Sequence, residues 1–488
     1  AARNLNAVPD VAQSKDARNL RKSIDCIHWL SEQFDGEPYA SPMLGRLAVR
    51  FAKEVPDDPS AKTLVQQLAR ELKQAKRPSR SHLPNWKAPR EGWAGGDVRI
   101  LGLPTQIELG EQREPKVYAG QFNVAFGLAL QGLGHARVDQ HFAPKKGLLS
   151  GLRRKENSCW GIDVGSASIK AALLTKDETG QIKMTDSHYQ EYAFPTCRAG
   201  SEADDSAPKE ALAKFIAEKE LAGKRIWVNL PSSQLISRFL LLPPVKEKQA
   251  VQILDREIEQ KFPIDAENLS VVRWMAESNI DEQGRPAVLA AAKRDLVEKR
   301  LGIFSDLELK IDGMQADVLS LVNFASHEFA ELWTEPASDV DDAAASTDET
   351  EVDSNESQAF ETDRSNPKKT TIVLCDTGAS STTIVVVSGE AHWSWTIESG
   401  GEDFTNLIAR ATKVPHAEAE KLKRNPAELS DPAAQYEAVE QRMDQLRVRL
   451  EKVVADALKQ NPRFQINQTW CVGGGCNAHG WIRRVLLK

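Results

Sequence analysis

The sequence predicts an α/β fold with two lobes, and two observations support this prediction. From about residue 158 onward, short apolar strands alternate with helical segments, which is typical of sheets covered by helices. A pattern of strand, Asp, Gly, small hydroxyl residues and second strand occurs twice, at Ile162–Lys170 and at Cys375–Thr383. Because the two copies lie far apart in the chain, we expect one copy in each lobe.

Composition limits the class of protein. The chain has 488 residues, of which 41% are hydrophobic and 27% are charged, and its formal net charge is -7. These values are ordinary for a soluble globular protein and give no indication of a nucleic-acid partner. No apolar run approaches the roughly 18 residues that cross a bilayer, and the N-terminus lacks the apolar stretch of a signal peptide. The six cysteines form no CxxC pair, so we expect reduced, structural thiols.

The segments before and between the lobes differ in character. Residues 1–95 predict a helical N-terminal extension, in which Ser60–Lys73 has leucines on one face of a helix. Residues 96–135 predict a strand followed by a buried helix, and the two lobes occupy 158–334 and 370–488. Residues 335–369 are acidic and poor in large apolar side chains, so burial cannot offset the entropy lost on ordering. We therefore predict that 335–369 is a disordered insertion.

The two repeated turns have residue types that suit phosphate and Mg²⁺. A strand ends at Asp163 in one turn and at Asp376 in the other, and such a carboxylate can hold hydrated Mg²⁺. Gly165 and Gly378 leave room that a side chain would fill. The small residues that follow, whose N–H groups and hydroxyls suit phosphate oxygens, are Ser166, Ala167 and Ser168 in one turn and Ala379 and Ser380 in the other. A single turn of this kind is weak evidence, and two ordinary hairpins are the alternative.

A third glycine-rich segment follows both turns. Gly473, Gly474 and Gly475 lie between an apolar strand and a helix, where backbone can approach adenosine and the α-phosphate at a helix N-terminus. Gly400 and Gly401 begin another helix after a strand. A glycine run alone is weak evidence, but together with the two phosphate turns it makes a nucleotide with Mg²⁺ a candidate ligand.

This ordered set resembles the actin-like superfamily, which has a ribonuclease H-like fold and includes sugar kinases. Within it, the chain is similar to the PilM family of type IV pilus assembly proteins, a family related to FtsA. The resemblance covers about two-thirds of the chain. The similar segments are GIDVGSASIK, VNLPSSQLISRFLLLPPV, EIEQKFPI and SGGEDFTNLIARATKVPHAEAEKLKR.

The resemblance implies roles for further residues. It implies an inserted subdomain at about 232–315, of the type that PilM shares with FtsA. Lys170 would approach the phosphates, and Glu420 and Lys423 would contact ribose or adenine. The alternative for Glu420 and Lys423 is an ordinary exposed helix face.

The chain departs from the family pattern in one respect. PilM proteins continue past the adenosine glycines with a strand and a helix, which residues 96–135 resemble although they precede the first lobe. A circular permutation predicts that residues 97–134 pack beside Gly473–Lys488. A remnant of a tandem copy predicts that they pack against residues 1–95 or a neighbouring molecule.

The resemblance implies a cytoplasmic, ATP-binding scaffold of a type IV pilus or type II secretion-like system, peripheral to the inner membrane through its partners. The partner would be the cytoplasmic tail of an inner-membrane protein such as PilN, bound near the inserted subdomain, and self-association is left open. A small-molecule, sugar-type kinase and an FtsA-like division scaffold are the alternatives. FtsA usually ends in an amphipathic membrane helix, and none is recognisable at 481–488.

Turnover of ATP is less well supported by the sequence than binding, and we expect at most a weak ATPase. A catalytic base is not identifiable from the pattern of residues. The candidates, by residue type alone, are Glu257, Glu259, Asp317 and Glu402. We expect each of them to be a solvated helix residue.

Overall fold

The computed structural model describes residues 90–101, 104–109, 120–142, 157–193, 195–196, 205–262, 265–276, 284–333, 370–389, 391–461 and 464–487. The N-terminal extension up to residue 89, with its helix at Ser60–Lys73, and the acidic insertion at 335–369 lie outside these residues. The strands are β1 (Arg90–Glu91), β2 (Asp97–Ile100), β3 (Glu108–Leu109), β4 (Ser158–Val164), β5 (Ser168–Lys176), β6 (Ile182–Glu191), β7 (Arg225–Leu230), β8 (Leu235–Leu242), β9 (Leu269–Met275), β10 (Arg285–Lys293), β11 (Gly313–Ala316), β12 (Thr371–Thr377), β13 (Thr382–Ser388), β14 (Ala391–Ile397) and β15 (Ile466–Val472). The helices are α1 (Asn123–Gly132), α2 (Ser206–Glu218), α3 (Glu247–Lys261), α4 (Arg294–Ser305), α5 (Asp317–Glu328), α6 (Gly401–Thr412), α7 (His416–Arg424), α8 (Pro432–Gln460) and α9 (Trp481–Val485).

Two six-stranded sheets repeat one arrangement. The first-lobe sheet has the order β11-β7-β4-β5-β6-β3, and the second-lobe sheet has the order β1-β2-β15-β12-β13-β14. In each lobe an antiparallel meander, β4-β5-β6 or β12-β13-β14, is extended by two strands that run parallel to its first strand. This duplicated topology is that of the actin-like, ribonuclease H-like fold, so the predicted fold class is confirmed.

Strand β2 completes the second lobe although it precedes the first lobe in sequence. It runs parallel to β15, with register pairs from Asp97 with Gln468 to Ile100 with Cys471. In the second lobe β2 has the place that β11 has in the first. Gly92 also forms a bridge with Leu487 near the end of the chain. Completion within one chain is the packing that the circular-permutation interpretation requires.

Helix α1 crosses from β2 into the first lobe. Its sequence, NVAFGLALQG, is mostly apolar, and all ten residues are buried. A Cβ added at Gly127 would lie 1.9 Å from the carbonyl oxygen of Ser320 in α5, and one added at Gly161 in β4 would lie 1.9 Å from that of Ala125. Glycine at these positions therefore lets α1 pack closely against α5 and β4. The segment before the first lobe thus contributes to both lobes.

The inserted subdomain is a three-stranded antiparallel sheet, β8-β10-β9, covered by α3. Leu254 and Ile258, one turn apart on α3, are buried against Leu289 of β10 in a core of their own. The helix forms because these apolar residues recur at helical spacing above an apolar sheet face.

The inserted sheet occupies a shorter range than the predicted 232–315. Strand β11 pairs with β7 in the first-lobe sheet, and α4 buries Val297 and Phe304 in the first-lobe core. Strand β10 ends at Lys293 and α4 begins at Arg294, so no loop separates the inserted sheet from a first-lobe helix.

Within the part of the chain that the structure describes, none of the helices is both long enough and apolar enough to cross a bilayer.

Candidate functional site

The two predicted turns have the same hydrogen-bond pattern. The Gly165 N–H donates to the carbonyl oxygen of Ser168 at 3.0 Å, and the Gly378 N–H donates to that of Ser381 at 2.8 Å. Each turn joins the first two strands of its meander, so the two occupy equivalent positions in the two lobes. The sequence repeat is thus also a structural repeat.

The two turns meet where the lobes face each other. The Ser166 hydroxyl donates to the Ser380 hydroxyl oxygen at 3.1 Å, although the two residues lie in different lobes. A ligand placed between the turns would have to replace this hydrogen bond.

The glycine-rich segments converge on the second turn. The Gly401 N–H donates to the carbonyl oxygen of Gly378 at 3.0 Å, and the Glu402 N–H donates to that of Ala379 at 2.8 Å. A Cβ added at Gly475 would lie 2.7 Å from the Gly378 carbonyl oxygen. The structure therefore brings three segments that are remote in sequence together at the second turn.

Lys170 and Asp163 form an ion pair beside the first turn. The Lys170 Nζ lies 2.8 Å from Asp163 Oδ2, and Asn229 Nδ2 donates to Asp163 Oδ1 at 3.0 Å. Burial alone would lower the pKa of Lys170, but the nearby carboxylates, Asp163 foremost and then Asp376 and Asp317, outweigh it and raise that pKa. The lysine is therefore a cation held between acidic groups.

Asp376 lies in a different electrostatic setting. Burial raises the pKa of Asp376 to about 6; the positive charge of Lys170 opposes this rise, and the negative charge of Asp163 adds to it. Its register partner on the neighbouring strand is Thr383, whereas the register partner of Asp163 is Lys170.

Asp317 is half-buried at the start of α5, so the expectation of a solvated helix residue is wrong for it. It accepts hydrogen bonds from the Ser232 hydroxyl and, at 2.7 Å, from the Val318 N–H. Burial raises its pKa well above the ordinary value, and repulsion from Asp163 and Asp376 adds to the rise. The sequence could not show which helix start faces the cleft.

The other three candidate bases differ from one another. Glu402 is buried against the His416 ring, so it too is not a solvated residue. Glu257 pairs with Arg238 at 2.7 Å in the inserted subdomain, and Glu259 is exposed as expected.

Glu420 and Lys423 lie beside the glycine that begins α6. Their side chains are 26% and 14% exposed and pair at 2.6 Å. The Lys423 ammonium also donates to the carbonyl oxygen of Gly401 at 3.2 Å and to the Thr405 hydroxyl at 2.9 Å. Although burial would raise the pKa of Glu420, Lys423 lowers it. The pair is therefore not an ordinary exposed helix face.

Three residues of the site were missed by the sequence reasoning. Asn229 and Arg300 stand behind the first turn, and the Gln121 side chain lies 3.6 Å from the position of a Cβ at Gly474. A polar residue inside the apolar strand RIWVNL was a usable signal for Asn229. Gln121, a polar residue just before the apolar helix α1, offered a similar signal. Arg300 had none, because it is one polar residue in an ordinary helical segment.

The space around Gly378 shows whether the second turn could accept a phosphate. A Cβ at Gly378 would meet its nearest neighbour, the Ser381 carbonyl oxygen, at the ordinary contact distance of 3.5 Å. The fold alone therefore does not demand glycine here, whereas a phosphate approaching the turn would. No group of three or more metal-ligating side chains occurs among the described residues, so a cation here would rely mainly on water and phosphate oxygens.

Of the six cysteines, the four that the structure describes, Cys159, Cys375, Cys471 and Cys476, are buried and unbridged. Cys26 and Cys197 lie outside the described residues.

A second cleft, of about 260 Å³, lies between the inserted subdomain and the second lobe. Residues of β8 and β14, each an edge strand of its sheet, line this cleft. Ser232, which donates a hydrogen bond to Asp317, also lines this cleft, and Trp395 on β14 is 49% exposed.

Comparisons with known proteins concern the fold. No family model matches the chain, and no curated protein matches it. Among solved structures, the chain is similar to a chain of the PilM-PilN type IV pilus biogenesis complex, with 18% identity over 67% of this chain and 84% of that chain and a TM-score of 0.48. It is also similar to the cytoplasmic domain of EpsL, an inner membrane component of the type II secretion system of Vibrio cholerae, with 12% identity over 51% and 73% of the two chains and a TM-score of 0.27.

A third similar structure is the ethanolamine utilization protein EutJ of Carboxydothermus hydrogenoformans, with 11% identity over 73% and 89% of the two chains and a TM-score of 0.32. The resemblance to PilM predicted from the sequence thus has a counterpart among solved structures. The chain has an actin-like fold. The duplicated sheet topology of the two lobes shows this fold.

Proposed function

We propose that this chain is an ATP-binding, actin-like scaffold that responds to nucleotide and acts in assembly of a pilus or secretion system. The single observation that carries the proposal is the convergence of three remote segments, at Gly165, Gly378 and Gly475, on one interlobe cleft beside Lys170. Two facing turns, with free space at Gly378 and the Lys170 cation beside the first turn, suit a chain of phosphates.

Each predicted site residue receives a role in this proposal. Gly165 to Ser168 and Gly378 to Ser380 would hold the β- and γ-phosphates, with Lys170 beside them. Asp163 and Asp376 would hold the water shell of Mg²⁺, which neutralises phosphate charge when bound. Gly400, Gly401, Glu420, Lys423 and Gly473 to Gly475 would surround the adenosine.

Binding would alter the contact between lobes. Because the Ser166–Ser380 hydrogen bond joins the turns directly, phosphates between them must part the turns and then bridge them. ATP can shift the lobe arrangement only by its difference in affinity for the two arrangements. The lobes, and the inserted subdomain fixed to the first of them, would therefore change position with nucleotide.

The substitution Gly378→Ala tests the proposal. The added methyl has room in the protein but would occupy space next to the turn that phosphate needs, so ATP affinity measured by calorimetry with Mg²⁺ should fall by about 1–3 kcal/mol. Gly302→Ala is a matched control, since a Cβ there meets nothing within 4 Å on α4. Equal ATP affinity in both variants and the wild type would contradict phosphate binding at this turn.

We further propose that the partner is the cytoplasmic tail of an inner-membrane, PilN-like protein, which places this chain in the cytoplasm at the membrane periphery. The 260 Å³ cleft supports this, because an extended peptide can add to an exposed strand edge and β8 and β14 present two such edges. Trp395 offers an exposed apolar contact for the peptide. A synthetic PilN tail peptide should bind the wild type and bind Trp395→Ala at least about tenfold more weakly.

A kinase remains the second candidate, favoured by Asp317. Its raised pKa, its proximity to Asp163 and Asp376 and its hydrogen bond from Ser232, which lines the second cleft, suit a general base for an acceptor hydroxyl. ATP-dependent phosphorylation of sugars or small acids, lost in Asp317→Asn while ATP binding persists, would support this role. Nothing among the described residues favours division scaffolding.

A further inference from the structure

Arg300 donates hydrogen bonds to the strand ends next to the first turn. It lies in the second turn of α4 and is half-buried. Its Nε donates to the carbonyl oxygen of Asn229 at 3.1 Å, and its Nη2 donates to Asn229 Oδ1 at 2.8 Å and to the carbonyl oxygen of Val164 at 2.6 Å. All three acceptors stand at the ends of β7 and β4, directly before the turn that begins at Gly165.

Arg300 also determines which way the Asn229 amide points. Asn229 is 1% exposed, and its Oδ1 accepts from the Val164 N–H at 2.9 Å as well as from Arg300. With Oδ1 held by two donors, Nδ2 points to Asp163 Oδ1, to which it donates at 3.0 Å. A flipped amide would set its NH₂ against two donors. The orientation of Asp163 is therefore linked to Arg300 through one side chain.

Burial destabilises the charged guanidinium of Arg300. Burial lowers the pKa of Arg300, and neighbouring groups, including Asp163 and Asp317, only partly oppose this. An apolar side chain of similar length would fill the same space without the cost of dehydrating a cation. The planar guanidinium of Arg300 donates three hydrogen bonds to fixed acceptors. Neither an apolar residue nor a lysine could reproduce this geometry.

Arg300 further joins the turn to the inserted subdomain. Strand β10, the central strand of the inserted sheet, runs without a loop into α4 at Arg294. Arg300 is therefore separated from the end of that strand by less than two turns of one continuous helix. A displacement of the first turn would be transmitted to α4 through three hydrogen bonds.

We propose that Arg300 is a positioning residue: through Asn229 it holds Asp163 in the orientation that hydrated Mg²⁺ requires, and it couples the first turn to the inserted subdomain. This inference rests on the proposed binding of ATP with Mg²⁺. Residues that orient a metal-holding group in this way typically change metal affinity by about 10–100-fold when substituted.

The test compares Arg300→Lys and Arg300→Met with Arg294→Met, a control that removes an exposed arginine from the same helix. Calorimetry measures ATP affinity with and without Mg²⁺, and the ratio of the two is the Mg²⁺ increment. In both Arg300 variants we expect this increment to fall by about tenfold or more, while Mg²⁺-free affinity and the control change less than about threefold. Hydrogen exchange without nucleotide should also become faster at Val164 and Gly165.

The outcomes separate the two levels of the proposal. If the wild type binds no ATP, the proposed function fails and the positioning role falls with it. If the wild type binds ATP and Arg300→Lys keeps the full Mg²⁺ increment, a charge suffices and the positioning role alone is overturned. If Arg300→Met does not fold, Asn229→Ser takes its place: it should lose the same increment, and retention of the increment would overturn the inference.

Discussion

The first and second turns share a backbone geometry but are stabilised differently. Behind the first turn, the charge of Asp163 is matched by Lys170 and hydrogen-bonded by Asn229, which Arg300 holds in turn. The second turn is held instead by backbone, through N–H groups of the α6 N-terminus. Burial, only partly offset by Lys170, raises the pKa of Asp376 to about 6.

This difference indicates that the two turns have different electrostatic roles in the proposed site. In the first turn the charge of Asp163 is balanced by Lys170 within the protein. The second turn carries a carboxylate whose ionisation is unfavourable until a cation approaches. Substitutions at equivalent positions should therefore have opposite effects on stability.

The largest effect is expected for Asp163→Ala. It leaves the Lys170 ammonium without its main partner in a mostly enclosed position, so the free energy of unfolding should fall by about 3 kcal/mol. Urea denaturation measures this loss. The double variant Asp163→Ala with Lys170→Met should recover much of it, since the unpaired cation is then removed. Failure of the second substitution to restore stability would mean that the ion pair does not brace the turn.

The next effect is a gain in stability from Asp376→Asn. Because the folded pKa of about 6 lies above the ordinary 3.8, ionisation is penalised in the folded state. The resulting loss in the free energy of unfolding is absent below about pH 4. It grows between the two pKa values and is complete above about pH 6. The variant should be about 1–3 kcal/mol more stable than wild type at pH 8 and equal to it near pH 4. Urea melts at both pH values check this, and a loss of stability at pH 8 would contradict it.

A third contrast concerns two glycines beside the second turn. A Cβ at Gly400 would lie 2.5 Å from the carbonyl oxygen of Ala379, so Gly400→Ala should destabilise the apo protein by about 1–3 kcal/mol. Gly378→Ala should change apo stability by less than about 0.5 kcal/mol, because its Cβ has room. Thermal denaturation of both variants distinguishes a glycine that the fold requires from one that the ligand would require.

The smallest effect is expected for Ser380→Ala. It removes the hydroxyl that accepts from Ser166 and so loses one partly buried hydrogen bond between the lobes, about 1 kcal/mol. Hydrogen exchange at Gly378 to Ser381 should rise modestly while the melting temperature changes little. Unchanged exchange would mean that the two turns do not hold each other.

Sequence reasoning was most successful where the chemistry is local. The turns at Asp163 and Asp376 could be predicted because a strand, a glycine and small residues follow one another directly. Glu420 and Lys423 are three residues apart on one helix, so their proximity was also predictable.

The parts that sequence reasoning missed depend on which elements meet. The pairing of β2 with β15 joins residues from opposite ends of the chain, and the pattern left two arrangements open. Asp317 was assigned to solvent because helical periodicity does not reveal that the start of α5 faces the cleft. Arg300 was missed for the same reason: its three acceptors lie more than 70 positions away in sequence.

A crystal structure of the chain with a non-hydrolysable ATP analogue and Mg²⁺ tests the central claim most directly. The account predicts phosphates between Gly165 and Gly378, with the direct Ser166–Ser380 hydrogen bond replaced by contacts to phosphate oxygens. Phosphates bound outside the interlobe cleft, with the two turns still in contact, would contradict it.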